Sequence, residues 1–145
     1  MTYTKWFQTH AQKHQNILAR LTKEGLSAEQ IVEYFEFENM AQKECDFCLL
    51  YATKTKCHDI PHLNCYWCAC PYFRFNDNAA ADKEGIIRYS YCAINAPQGK
   101  VFQHENSIHH DCSDCTVPHD PKTILKNFST KWNVTMSSCN LTPPL

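Results

Sequence analysis

The feature that most constrains this chain is a run of closely spaced cysteines at residues 64–71, which read Asn-Cys-Tyr-Trp-Cys-Ala-Cys-Pro. Cys65, Cys68 and Cys70 place three thiols within six residues, and so tight a turn has little apolar core of its own to bury them. Two cysteines separated by two residues can direct both sulfurs onto one ion, and a third extends the loop around a tetrahedral or cubane centre. The spacing therefore predicts a metal site.

The same spacing recurs at two other places in the chain. Cys45 and Cys48 form one such pair, and Cys112 and Cys115 form another. Together with Cys65 and Cys68, these are three pairs in a chain of 145 residues. Their number strongly indicates metal binding, although it does not identify the metal.

Three short motifs carry a family resemblance. They are Cys57-His58, the run Asn-Cys-Tyr-Trp-Cys-Ala-Cys-Pro-Tyr at 64–72, and Asp-Cys-Ser-Asp-Cys-Thr-Val-Pro-His at 111–119. Through them, residues 37–121 resemble the prokaryotic cysteine-rich small domain family, whose members carry Cys-His, then Asn-Cys-x-x-Cys-x-Cys-Pro, then Cys-Ser-x-Cys-x-x-Pro-His. The family is regarded as metal-binding and zinc-finger-like, with no settled biochemical role. The resemblance therefore implies a metal site and no particular activity.

Eight cysteines align with the family and are the predicted metal ligands: Cys45, Cys57, Cys65, Cys68, Cys70, Cys92, Cys112 and Cys115. Eight is two sets of four, which would suit two zinc ions or two cubane clusters, although a single four-ligand site with unused thiols remains open. His58, His119 and Cys48 are further candidate ligands. Otherwise Cys48 and Cys139 are interpreted as free thiols that pack as small hydrophobic side chains.

The surroundings of the cysteines favour iron–sulfur clusters of the 4Fe–4S type, one or two in number. Pro71 follows Cys70 as a proline commonly follows a cluster cysteine, and the neighbouring aromatic residues could shield a cluster from water. The chain has only three glycines, and none lies within a cysteine pair, where zinc knuckles usually need small residues. Zinc is the alternative, because nearby histidines offer mixed ligation: His58, His62, His109, His110 and His119.

Three functions follow from these metals. The first is an iron–sulfur protein for electron transfer, redox sensing or ligand binding at a cluster, and the second is a zinc-stabilised, non-catalytic binding module. The third is an enzyme that uses a reactive thiol or an open metal site. The sequence disfavours the third without deciding it, since it contains no nucleophile elbow, P-loop or dinucleotide-binding fingerprint.

Composition limits the partners and the compartment. A net charge of −1 indicates no clustered basic face for nucleic acid, and no apolar run approaches the length of a membrane span. Residues 1–10 lack the apolar region of a secretory signal, so we expect a cytoplasmic protein whose thiols are reduced. The expected partner is an unidentified redox or binding protein, with neither nucleic acid nor a membrane involved.

The expected fold is α+β, small and irregular. A helical hairpin at residues 1–41 precedes a metal-centred cysteine-rich module at 42–121 with a few short strands, and an arm at 122–145 packs back onto it through Ile124, Leu125, Phe128 and Trp132. Apolar periodicity predicts helices over 4–23 and 28–40, the second starting at a Ser27–Gln30 capping box. Alternating residues predict strands at 72–75 and 86–93.

His10 and His14 stand four residues apart on the first predicted helix, a spacing that can grip a metal ion. A zinc protease would need Glu where this chain has Ala11, so that motif is absent. We therefore interpret both histidines as packing or surface residues. His109 and His110 are interpreted as solvated side chains in a polar loop.

Overall fold

A computed structural model describes residues 2–141, which form five α-helices and two small sheets. The small, irregular α+β fold predicted from the sequence is therefore confirmed. The helices are α1 (Tyr3–Lys23), α2 (Ala28–Tyr34), α3 (Phe37–Lys43), α4 (Pro121–Lys126) and α5 (Trp132–Thr135). The strands are β1 (Phe73–Phe75), β2 (Ile87–Arg88), β3 (Ser90–Cys92), β4 (Lys100–His104) and β5 (Ser107–Asp111). Residues 142–145 of the predicted arm lie outside the described part. Within that part, no helix has both the length and the apolar character needed to cross a membrane.

The first helix forms where the periodicity predicted it. The Thr2 hydroxyl accepts a hydrogen bond from the Lys5 backbone amide at the start of α1, and Gly25 follows its end with a positive φ of 81°. The capping box that starts α2 is also present: Ser27 and Gln30 satisfy each other's backbone amides. The buried face of α1 consists of His10, His14, Ile17, Leu18 and Leu21.

The predicted single helix over 28–40 is wrong, because the chain forms two helices with a break at Phe35 and Glu36. Glu36 has extended backbone angles (φ −61°, ψ 142°) and pairs with Asn64 in an antiparallel bridge. The Phe35 carbonyl accepts a hydrogen bond from the Cys65 amide at 2.8 Å. The backbone groups at the break therefore hold the first cysteine of the 64–71 run instead of continuing the helix.

The strands depart from the prediction in two ways. β1 lies within the predicted 72–75, but the predicted strand at 86–93 is two strands that separate at Tyr89. β3 pairs antiparallel with β1, whereas β2 pairs parallel with β5 in a second sheet of order β2-β5-β4. The β4–β5 hairpin was not predicted, because every residue of β4 is exposed and its sequence has no apolar alternation.

One hydrophobic core contains residues from all three predicted segments. α1 packs against α5, and α2 packs against α4. The arm does pack back as predicted: Ile124 and Trp132 are buried, and Leu125 and Phe128 lie against the core. The boundaries of the three segments stay a prediction. The most completely buried side chains include Leu21, Phe35, Met40, Leu63, Tyr66, Ile124 and Met136.

His10 and His14 belong to this core and confirm the packing interpretation. The His14 ring lies 4.7 Å, centroid to centroid, from both Phe35 and Trp132, and its Nε2 donates to the Tyr66 carbonyl at 2.9 Å. Burial lowers the pKa of His10 to about 4 and that of His14 to about 3. Both rings are therefore neutral at physiological pH.

Candidate metal centre

Asn64 anchors the cysteine run to the helices. Its side chain is fully buried, its Nδ2 donates to the Val32 carbonyl at 2.7 Å and to Glu36 Oε1 at 3.0 Å, and its Oδ1 accepts from the Tyr66 amide at 2.9 Å. These bonds connect the break between α2 and α3 with the start of the cysteine loop. They give a physical reason for an asparagine directly before Cys65.

The loop then reverses at Ala69. The Cys68 amide donates to the Cys65 carbonyl at 3.2 Å, and the Cys70 amide donates to the Trp67 carbonyl at 2.8 Å. Ala69 and Cys70 have φ values of 88° and 57°, the left-handed region that costs a non-glycine residue about 1 kcal/mol or more. Because of this strained turn, Cys68 and Cys70 approach different groups of cysteines.

The first group, which we call set A, consists of Cys48, Cys57, Cys65 and Cys68. These four residues wall one small cavity of about 30 Å³. Burial first, and then the charges of Cys57 and Cys48, raise the pKa of the Cys65 thiol to about 12. Burial and the other three thiols of the set also raise the pKa of Cys68. Set A therefore consists of thiols close enough to perturb one another.

The second group, set B, consists of Cys70, Cys92, Cys112 and Cys115. Cys92 ends β3, Cys112 directly follows β5, and the Cys115 amide donates to the Cys112 carbonyl at 3.0 Å. The pKa of Cys112 is raised to about 12 by burial and by the other three thiols. All four residues line an apolar cavity of about 370 Å³.

Seven of the eight predicted cysteine ligands lie in these two sets, and Cys45 does not. Cys45 is exposed, and its sulfur lies 4.0 Å from the carboxylate of Asp46. Cys48, which was predicted only as a further candidate ligand, lies in set A instead. No signal in the sequence favours Cys48, since what separates it from the exposed Cys45 is its partial burial between Phe47 and the Leu49–Thr53 turn of 3-10 helix. Cys139 is buried outside both sets and donates to the Cys70 carbonyl at 3.3 Å.

His58 and His119, both candidate ligands, flank Cys57. His58 Nδ1 lies 3.1 Å from the Cys57 sulfur, and His119 Nε2 lies 3.9 Å from it. Burial lowers the pKa of His119 to about 4, so its imidazole is neutral. His109 and His110 were expected in a loop but lie on β5, where His109 is exposed and His110 lines the large cavity.

The donor sets suit a soft or borderline metal. No disulfide joins any of the ten cysteines. Burial raises the pKa of Cys65, Cys68 and Cys112, so a metal ion that binds these thiols would have to displace their protons. The buried Tyr51 hydroxyl also lines the set A cavity near Cys65, yet it makes no hydrogen bond of good geometry within residues 2–141. A metal-bound sulfur in that cavity would accept this hydrogen bond.

No protein-family model, curated protein or solved structure matches this chain. The resemblance to the cysteine-rich small domain family therefore stays a prediction. The assignment of individual cysteines and histidines as ligands stays a prediction as well. The functional inference starts from the two sets and from the group around Cys57.

Proposed function

We propose that this chain is an iron–sulfur protein in which set A and set B each hold one cluster of the 4Fe–4S type. The observation that carries the proposal is the division of eight cysteines into two sets of four, since a cubane takes four thiolates. Cys48 replaces Cys45 in the proposed ligand set. We also propose that the chain is a member of the cysteine-rich small domain family, on the three motifs that resemble it.

The spread of the sulfurs supports cubanes over zinc. Four thiolates on one zinc ion, with bonds of about 2.3 Å, lie about 3.8 Å from one another. Within residues 2–141, the group with all ligand atoms inside 4.8 Å is Cys57, His58 and His119, so no three cysteine sulfurs are that close. A cubane carries its thiolates on four separate irons and therefore holds them farther apart.

Aromatic residues around both sets support a redox role. Phe37, Phe47 and Tyr51 line the set A cavity, and Tyr72 and Phe73 line the large cavity next to set B. An apolar, water-poor surrounding is one of the factors that set the potential of a cluster. A cluster with four thiolates has no open iron, so electron transfer or redox sensing suits these sets better than substrate binding. The proposed partner is a redox protein, in a reducing compartment such as the cytoplasm.

A zinc-stabilised binding module is the second candidate, and one observation favours it. The cavity walled by set A is about 30 Å³, a space suited to a single ion. In that case metal binding would stabilise the fold, and function would lie on the protein surface. We propose no catalytic residue in either case.

Metal and sulfide analysis of protein purified without oxygen tests the proposal. Two clusters require about eight iron and about eight sulfide per chain, with a broad visible band that bleaches on reduction. The Cys45→Ser variant is the matched control and keeps the same iron content. A colourless wild-type protein with one or two zinc ions would establish the second candidate instead.

A further inference from the structure

We propose that Cys57, His58 and His119 form a third metal site, which binds one divalent transition-metal ion and shares the Cys57 sulfur with set A. The site goes beyond the two proposed clusters and does not depend on their being iron–sulfur. It rests on the positions of three side chains and on the hydrogen bonds of the two imidazole rings.

The distances match those of a tetrahedral ion. With nitrogen at about 2.0 Å and sulfur at about 2.3 Å, such an ion separates its nitrogen and sulfur ligands by about 3.5 Å. The sulfur of Cys57 lies 3.1 Å from His58 Nδ1 and 3.9 Å from His119 Nε2, on either side of that value. All three ligand atoms lie within 4.8 Å of one another.

The hydrogen bonds of the rings direct two lone pairs toward this sulfur. His58 Nε2 lies 2.9 Å from the Cys112 carbonyl, and His119 Nδ1 lies 3.0 Å from the Asn64 carbonyl. Because a carbonyl oxygen only accepts, each of these nitrogens must carry the ring hydrogen. In neutral rings, the two nitrogens that face Cys57 therefore both carry lone pairs.

The thiol cannot satisfy both lone pairs, because it has a single hydrogen to donate. A cation between the three atoms satisfies both imidazoles and the thiolate at once. The ring hydrogens bound to carbonyls are also the arrangement that orients metal-ligating histidines in known sites. The geometry thus meets the requirements of a metal site that is held by its surroundings.

The donor atoms select the class of metal. Two imidazole nitrogens and one thiolate suit zinc and cobalt(II), and a thiolate has lone pairs enough to bridge to a second metal in set A. Three protein ligands leave a fourth tetrahedral position, as in catalytic zinc sites. All three residues line the cavity of about 370 Å³, which gives a further ligand access to the group.

The test compares metal content and cobalt(II) binding in four proteins purified without oxygen: wild type, His58→Gln, His119→Gln and the control His62→Gln. His62 is an exposed histidine on the same loop as His58 and lies outside the group. Wild type and His62→Gln should bind one equivalent of cobalt(II) with the visible spectrum of a tetrahedral Cys/His site. Each of the other two variants should bind it more than about 100-fold more weakly, since removing a ligand costs at least as much as removing a residue that orients one.

Iron and sulfide in the same samples separate this inference from the proposed function. Unchanged iron with a lost cobalt site in His58→Gln supports the third site. Equal cobalt(II) binding in all four proteins overturns the third site. A loss of iron in the His58→Gln and His119→Gln variants also overturns it, because the two histidines would then be cluster ligands. Because His119 is buried and its variant can misfold, His58→Gln carries the decision, with circular dichroism as the check on folding.

Discussion

Set A and set B contain the same number of thiols in very different surroundings. Set A lies against the hydrophobic core, next to buried Tyr51 and Leu63, and walls a cavity of about 30 Å³. Set B is held by the ends of β3 and β5, and all four of its cysteines line the cavity of about 370 Å³, which only Cys57 and Cys68 of set A reach. The comparison teaches that two sets of four thiols need not have equal roles: set A is built into the core that holds the helices together, whereas set B sits at the edge of small sheets.

The largest expected difference is between Cys68→Ser and Cys70→Ser, which lie two residues apart. Cys68→Ser should remove the metal of set A and lower Tm by at least about 10 °C, because the core around set A loses its metal. Cys70→Ser should remove the metal of set B with a smaller fall in Tm. Metal analysis and thermal unfolding measure both effects. Identical losses in the two variants would contradict the division into two sets.

A comparison of Cys48→Ser with Cys45→Ser tests which of these two cysteines belongs to set A. We expect Cys48→Ser to lose about half of the bound metal, since one of two four-thiolate centres lacks a ligand. Cys45→Ser should bind as much metal as wild type, and its stability should change by less than about 0.5 kcal/mol, because Cys45 is exposed. Metal loss in Cys45→Ser alone would restore the ligand set read from the sequence.

A smaller effect, on the pH dependence of stability, should follow from the buried His10 and His14. Burial lowers the pKa of His10 to about 4 and of His14 to about 3, below the ordinary value of 6.5. Below pH 6.5 the unfolded chain therefore takes up protons that the folded chain does not, and the free energy of unfolding decreases as the pH is lowered. When the pH is lowered from about 7 to about 5, each of these two histidines should reduce the free energy of unfolding by about 2 kcal/mol.

Urea unfolding at the two pH values measures this cost. His14→Gln should show a pH dependence reduced by about 2 kcal/mol, whereas the exposed His109→Gln should behave as wild type. The difference between variants isolates the histidine from any pH effect of the metal. A pH dependence that is the same in His14→Gln and wild type would show that His14 is not the source.

The smallest expected effect is that of Tyr51→Phe, which tests set A alone. In metal-free protein the change removes a buried hydroxyl without a good partner, so the free energy of unfolding should stay the same or rise by about 1 kcal/mol. In metal-loaded protein it removes a donor to a sulfur, and set A should bind metal about tenfold more weakly. Urea unfolding measures the change in stability of the metal-free protein, and chelator competition measures the change in metal affinity. A fall in stability of the metal-free form would contradict the reasoning.

The sequence predicted the helices best where the signal was local. The stripe on α1 and the Ser27–Gln30 capping box depend on neighbouring residues and were confirmed. The break at Phe35 and Glu36 was missed, because it exists only to pair with residues 63–65 far along the chain. The β4–β5 hairpin was missed for a related reason, since an exposed strand leaves no apolar alternation in its sequence.

The candidate site was predictable in composition and not in arrangement. Spacing identified the cysteine pairs, but the family resemblance chose Cys45 over Cys48, and the burial of the two thiols reverses that choice. Nothing in the sequence indicated that Cys68 and Cys70 face different sets, because that depends on the left-handed backbone of Ala69 and Cys70. The meeting of His58 with His119 likewise depends on tertiary contacts between distant segments.

The turn at Ala69 also limits how independent the two centres can be. A single residue separates Cys68 from Cys70, so their Cα atoms are at most about 7 Å apart however the protein moves. Whatever metal each set binds, a unit charge added to one centre is felt by the other, at about 2 kcal/mol for a separation of about 10 Å and an effective dielectric constant of about 20. If both sets hold metal as we propose, loading or reducing the first centre would make the same event at the second less favourable, and the pair would titrate with negative cooperativity.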